Sequence, residues 1–145
     1  MTKSRAHVIL LHMKLNKTLC FARWIPAMLI IAASWHISSK PTVPLPNFQH
    51  ADKAVHCVCF AALSFWIAFA CGTRKSALIR LALPIFFTSF YGIVDEVHQH
   101  FTPGRTCSVF DWIFDTVGAV LGSIAFYIFC IFLIRLKTNS SQHKE

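Results

Sequence analysis

Three short clusters of ionisable residues give this chain its capacity for chemistry. Asp52 and His56 are four residues apart, which sets them on one helix face, with Lys53 about one turn before His56. A second cluster reads Asp95-Glu96-Val97-His98-Gln99, and a third runs from Pro103-Gly104-Arg105 to Asp111 and Asp115. Histidine shuttles protons near neutral pH, a carboxylate can act as general base, and Lys or Arg can hold a phosphate. Several carboxylates with a histidine also suit a divalent cation, but Lys53 and Arg105 oppose one, so no metal is expected. No Ser-His-Asp pattern or phosphate-cradling glycine loop is present, and no cofactor is expected. His50, His98 and His100 read as residues of wet loops.

The elements that must position these clusters are apolar. Hydrophobic residues make up 55% of the chain and charged ones only 14%, too little charge to cover a soluble domain of 145 residues. Apolar stretches at about Leu19–Ile37, Ala54–Cys71, Ala77–Val94 and Thr116–Leu136 are each long enough to cross a ~30 Å hydrocarbon core as a helix. The last helix is expected to begin earlier, near Val109. The fold class is therefore all-α, an integral membrane bundle of four transmembrane helices. A basic segment occupies residues 1–18, the bundle 19–136, and a polar, disordered tail 137–145.

The first span could be mistaken for a signal peptide with a cleavage site near Ala32-Ala33-Ser34. Its apolar run continues through Trp35 and Ile37, which favours an uncleaved span. Pro84 should kink the third span. Residues 38–51 contain Pro41, Pro44 and Pro46 and cannot continue a helix, and a tight turn is expected at residues 72–76. Five of the six cysteines lie in or beside apolar runs as small hydrophobes, so neither a disulfide framework nor a zinc site is expected.

The net charge of +8 does not indicate nucleic acid, because the basic residues flank the spans and form no single stripe. With the N-terminus inside, 11 of the 14 Lys and Arg residues fall on the cytoplasmic side, leaving Lys40, Lys53 and Arg105 outside. The acids divide the other way, with only Glu145 inside. Both termini are thus expected in the cytoplasm, and all three clusters at the outer face.

On the fourth span, Asp111, Asp115, Gly118 and Gly122 project within about 60° of one another. That stripe describes a close helix–helix seam, with glycines in the membrane below an acidic mouth. Charges at span ends often do no more than meet water. Helical spacing on three successive span ends argues instead for a shared polar site of Asp52, Lys53, His56, Glu96, Gln99, Arg105, Asp111 and Asp115.

The stretches Asp52-Lys53-x-x-His56, Asp95-Glu96-Val97-His98-Gln99-x-Phe101-x-Pro103-Gly104-Arg105 and Asp111-x-x-x-Asp115-x-x-Gly118-x-x-x-Gly122 closely resemble the VanZ-like family. The resemblance covers about Asp52 to Leu133, the first span fitting less specifically. Asp115 departs from it, since the family pattern is expected to carry Asn there. The resemblance implies a multi-pass protein of the bacterial inner membrane whose namesake is linked to teicoplanin resistance. It matches Asp52, Lys53, His56, Glu96, Gln99, Arg105 and Asp111 to the family's polar positions.

Three functions follow as expectations. The first is a pocket that binds a cell-wall or lipid-linked head group and affects glycopeptide sensitivity. The second is a membrane enzyme acting on such a lipid, with His56 or Glu96 as general base and Arg105 or Lys53 holding a phosphate. The third, a small transporter, fits worst, because the acids cluster at one mouth and the inner halves of the spans carry few charges. The partners expected are the bilayer and a lipid-linked or cell-wall precursor, with no nucleic acid.

Overall fold

A computed structural model describes residues 20–44, 46–72 and 76–142. Residues 1–19, 45, 73–75 and 143–145 lie outside these, as do the expectations placed on them. The described residues form α1 (Ile25–Ser38), α2 (Ala51–Cys71), α3 (Ala77–His100) and α4 (Val109–Gln142). Helix also covers Cys20 to Ala22, and a turn at Arg23-Trp24 precedes Pro26, which stands in the first turn of α1 where its missing N–H costs nothing. Four helical segments, Cys20–Ser38, Ala51–Cys71, Ala77–His100 and Val109–Leu136, are long and apolar enough to cross a membrane.

Burial runs opposite to that of a water-soluble protein. Phe86, Phe90, Ile128 and Ile134 are exposed on the outside, while Ser64, Thr88, Asp95, Asp115 and Ser123 are fully buried. Apolar side chains outside and polar ones inside satisfy both lipid and backbone when hydrocarbon is the solvent. The chain is a multi-pass membrane protein.

The tightest pair is α2 against α4. A β-carbon built on Gly118 would strike the carbonyl oxygen of Cys57, and one on Gly122 that of Ala61. Without side chains at these two positions the backbones approach closely enough for Ser64 Oγ to donate to the carbonyl of Ala119 at 2.7 Å. Helices α3 and α4 are clasped by polar contacts: Trp112 Nε1 reaches Ser89 Oγ and its carbonyl, each at 3.2 Å, and Ser89 meets Thr116 at 2.8 Å. Pro84 lies within α3. One turn before it, the Leu81 carbonyl accepts the Ser123 hydroxyl at 3.1 Å, one way in which a neighbouring helix steadies a proline-disturbed backbone. Helix α1 is peripheral, with only Ala27 and Ser38 buried. Ala27 packs on Leu63 and Ile67, and Tyr91 donates to the Ile31 carbonyl.

Two sequence-based boundaries need correction. Helix α3 does not stop near Val94 but runs to His100, so Asp95, Glu96, His98 and Gln99 project from rigid backbone, and neither His98 nor His100 lies in a loop. No proline or glycine interrupts the chain until Pro103-Gly104, so the helix ends only there. Likewise the helical backbone of α4 continues past Leu136 to Gln142, where a disordered tail was expected. No helix breaker occurs between Lys137 and Gln142.

Candidate functional site

The up-and-down order of the helices brings the end of α1, the start of α2, the end of α3 and the start of α4 together. Hydrogen bonds across the helices fix this juxtaposition. Nearest the helix starts, Lys53 Nζ bridges two carboxylates, 2.9 Å from Asp52 Oδ2 and 3.0 Å from Asp111 Oδ1. One turn deeper, His56 Nδ1 lies 2.9 Å from Asp115 Oδ1, with Asp115 at 0% exposure. With Asp115 ionised, the proton of this contact belongs to Nδ1, which leaves Nε2 as the ring's free nitrogen.

Glu96 faces the same pair from α3. Its Oε2 accepts the Ser108 N–H at 2.7 Å, and ligand atoms of His56, Glu96 and Asp115 all lie within 4.8 Å of one another. Ser108 also stands at the start of α4, its Oγ 3.4 Å from Asp111 N in a capping position. Thus one residue ties the start of α4 to the acid of α3.

A third set centres on Asp95. Its Oδ2 accepts from Ser38 Oγ at 2.9 Å and from Gln99 Nε2 at 3.0 Å. Gln99 Oε1 in turn accepts from Arg105 Nη2 at 3.2 Å. The loop that carries Arg105 passes through Gly104 at φ +80°, a left-handed conformation that L side chains resist, against Pro41 of the first connection. No ion pair joins Arg105 to Glu96 or Asp111 among the described residues, and its buried Nε has no hydrogen-bond partner.

A cavity of about 320 Å³ opens beside these groups. Ser34, Ser38, Asp52, His56, Asp95 and Arg105 form its polar part, while Ile30, Ala33 and Ile37 of α1 and Val55, Val58 and Ala62 of α2 contribute apolar wall. Of the eight residues expected to share one pocket, Asp52, His56 and Arg105 line this cavity. The other five do not line it: Lys53, Glu96, Gln99 and Asp115 contact or approach lining residues, and Asp111 is joined to them through Lys53. The Cys107 thiol, in the connection, is pushed above its ordinary value by desolvation and then by the nearby Glu96 carboxylate, the wrong direction for a thiolate nucleophile.

Sequence reasoning quoted Asp95 but did not place it among the site residues, and it missed Ser38 and Ser108. Asp95 could have been found, because it precedes Gln99 by four residues on one helix and so shares its face. Ser38 and Ser108 carry no such signal, since serines at span ends are commonplace. His98, set aside as a loop residue, stacks on Trp35 with ring centroids 3.8 Å apart and planes 10° from parallel. That stack fastens the end of α1 to α3 beside the Ser38–Asp95 contact.

No curated protein and no solved structure matches the chain. A family model does, that described as VanZ/LLP1, over residues 3–132. This match takes in the Asp52, Asp95 and Asp111 clusters together with α1 to α3 and α4 as far as residue 132. The chain therefore belongs to the VanZ/LLP1 family.

Proposed function

We propose that the acidic end of the bundle faces outward from the inner membrane of a bacterium and holds the anionic head group of a lipid-linked envelope molecule. The observation that carries this reading is Arg105. It lines the cavity, makes no ion pair with Glu96 or Asp111 and leaves its buried Nε unpartnered. A guanidinium so placed is suited to a phosphate, which it can grip with two parallel bonds. The apolar wall between α1 and α2 supplies a bed for the hydrocarbon chain, and the weak packing of α1 offers a lateral way in from the bilayer. An effect on teicoplanin sensitivity would follow if the bound molecule is a cell-wall precursor.

The orientation rests on the 11:3 division of Lys and Arg. Reporter fusions at Gly72 and after the last residue are expected to score cytoplasmic, and those at Thr42 and Phe101 extracytoplasmic. A periplasmic C-terminus would put the pocket on the wrong face for a translocated envelope lipid.

Head-group binding is tested with Arg105→Gln protein in nanodiscs, titrated with an isoprenyl phosphate and with the uncharged isoprenol of equal length. The wild-type protein is expected to prefer the phosphate. The variant is expected to lose about 10- to 100-fold in affinity, as for a charge-assisted hydrogen bond of roughly 1.5–3 kcal/mol. Equal binding of phosphate and alcohol, or an unchanged variant, would defeat the reading.

One observation favours a second reading, a membrane enzyme acting on such a lipid. His56 lines the cavity while its Nδ1 is held by a buried carboxylate, the arrangement that orients a histidine as general base. Release of inorganic phosphate from the same isoprenyl phosphate, abolished in His56→Gln, would select it over simple binding.

A further inference from the structure

The geometry points to a divalent cation site formed by His56, Glu96 and Asp115, of the chemical class that takes zinc or manganese. Two ligands each roughly 2.0–2.4 Å from one ion can be at most about 4.8 Å apart. The candidate ligand atoms of these three residues meet that limit, all lying within 4.8 Å of one another, and an ion bound through His56 Nδ1 would replace the proton of its contact with Asp115. They come from α2, α3 and α4, so the site would tie together the three helices that form the body of the bundle.

The proximity does not stand alone. Glu96 Oε1 and Asp115 Oδ2 are buried oxygens with no hydrogen-bond partner, on side chains 4% and 0% exposed. A buried carboxylate oxygen without a donor is costly unless a cation or a proton meets it. Neither of the two protein cations nearby pairs with Glu96 or Asp115. Lys53 is held between Asp52 and Asp111, and Arg105 donates to Gln99. The objection that Lys53 and Arg105 would repel a metal therefore loses force, because Asp52 and Asp111 neutralise the first and Asp95 lies one hydrogen bond beyond the partner of the second.

The surroundings also suit a ligand set. Ser108 N–H, at 2.7 Å from Glu96 Oε2, fixes the carboxylate so that Oε1 is the oxygen left over. Such outer contacts orient metal ligands in general. Gly92 leaves room at Asp115 Oδ2, where a β-carbon would come to 3.0 Å. One imidazole nitrogen with two carboxylates is a borderline donor set, which suits zinc or manganese better than the all-oxygen shell that calcium or magnesium prefers. His56 also lines the cavity, so the proposed site adjoins it. The site's help in gripping an anionic head group rests on the reading above; its existence does not.

The test uses the full chain in detergent, stripped with a chelator and dialysed, then titrated with Zn²⁺ or Mn²⁺ alone in the absence of added lipid. One ion per chain is expected by elemental analysis, with a rise in thermal midpoint. Glu96→Gln and Asp115→Asn should each weaken binding by about 100-fold or more, whereas His100→Ala, which removes an exposed histidine at the same end, should not. Co²⁺ absorption provides a second readout on any variant that elutes as a folded monodisperse species, its ligand-field band being lost in Glu96→Gln. Absence of stoichiometric binding, or binding equal in Glu96→Gln and wild type, would overturn the cation site. If stripped protein still prefers the isoprenyl phosphate while no metal binds, the cation site fails and the head-group reading stands. Metal binding without phosphate preference supports the site and removes the head-group reading.

Discussion

Gly122→Leu is expected to prevent the bundle from closing, and even Gly122→Ala to lower its stability by roughly 1–3 kcal/mol or more. The cause is what the added atoms would meet. A β-carbon at Gly122 points into the carbonyl oxygen of Ala61, and one at Gly118 into that of Cys57, and both obstacles are backbone. A flexible side chain can swing aside, but a helical carbonyl moves only if its helix moves. Helices α2 and α4 would then separate, loosening the Ser64–Ala119 hydrogen bond and the His56–Asp115 contact, which span the same pair of helices. The measurement is thermal unfolding in detergent for Gly118→Ala, Gly122→Ala and Gly122→Leu, with the leucine variant worst. Unchanged midpoints for all three would mean that the close approach of these helices contributes nothing to stability.

His56→Ala is expected to destabilise the protein by about 3–5 kcal/mol, the usual consequence of leaving a buried charge without its partner. Asp115 is fully buried and its other oxygen already lacks a hydrogen bond, so removing the imidazole leaves both carboxylate oxygens without their partner. Adding Asp115→Asn to the His56→Ala background should recover part of the loss, since a neutral amide tolerates burial better than a carboxylate. The double-mutant cycle, measured in chelator so that no metal contributes, reports the coupling directly. Additive effects within about 0.5 kcal/mol would show that the 2.9 Å contact carries no energy of its own.

Those two predictions draw on features of different visibility. The Gly118–Gly122 stripe was legible from spacing alone, because side-chain direction along a helix repeats every 3.6 residues whatever the helix packs against. What lay opposite the stripe, Cys57 and Ala61 of α2, was not legible, and it is their carbonyls that make the substitution severe.

The same division holds at the acidic end. Hydropathy and length determined four membrane-spanning helices, since crossing a bilayer is a condition that each segment meets by itself. The order of the helices then brought the Asp52, Asp95 and Asp111 clusters to one end, for an even number of crossings separates equivalent ends. Which atom meets which was decided by the tertiary structure. Arg105 donates to Gln99 rather than pairing with Glu96 or Asp111, Lys53 takes Asp111, and Asp115 takes His56. Ser38, at the end of the peripheral first helix, completes the set around Asp95. These pairings depend on the rotation of each helix about its axis and on its axial offset from its neighbours. A rotation of one residue, about 100°, redirects every side chain, and no pattern within a single segment records how far its neighbour is turned.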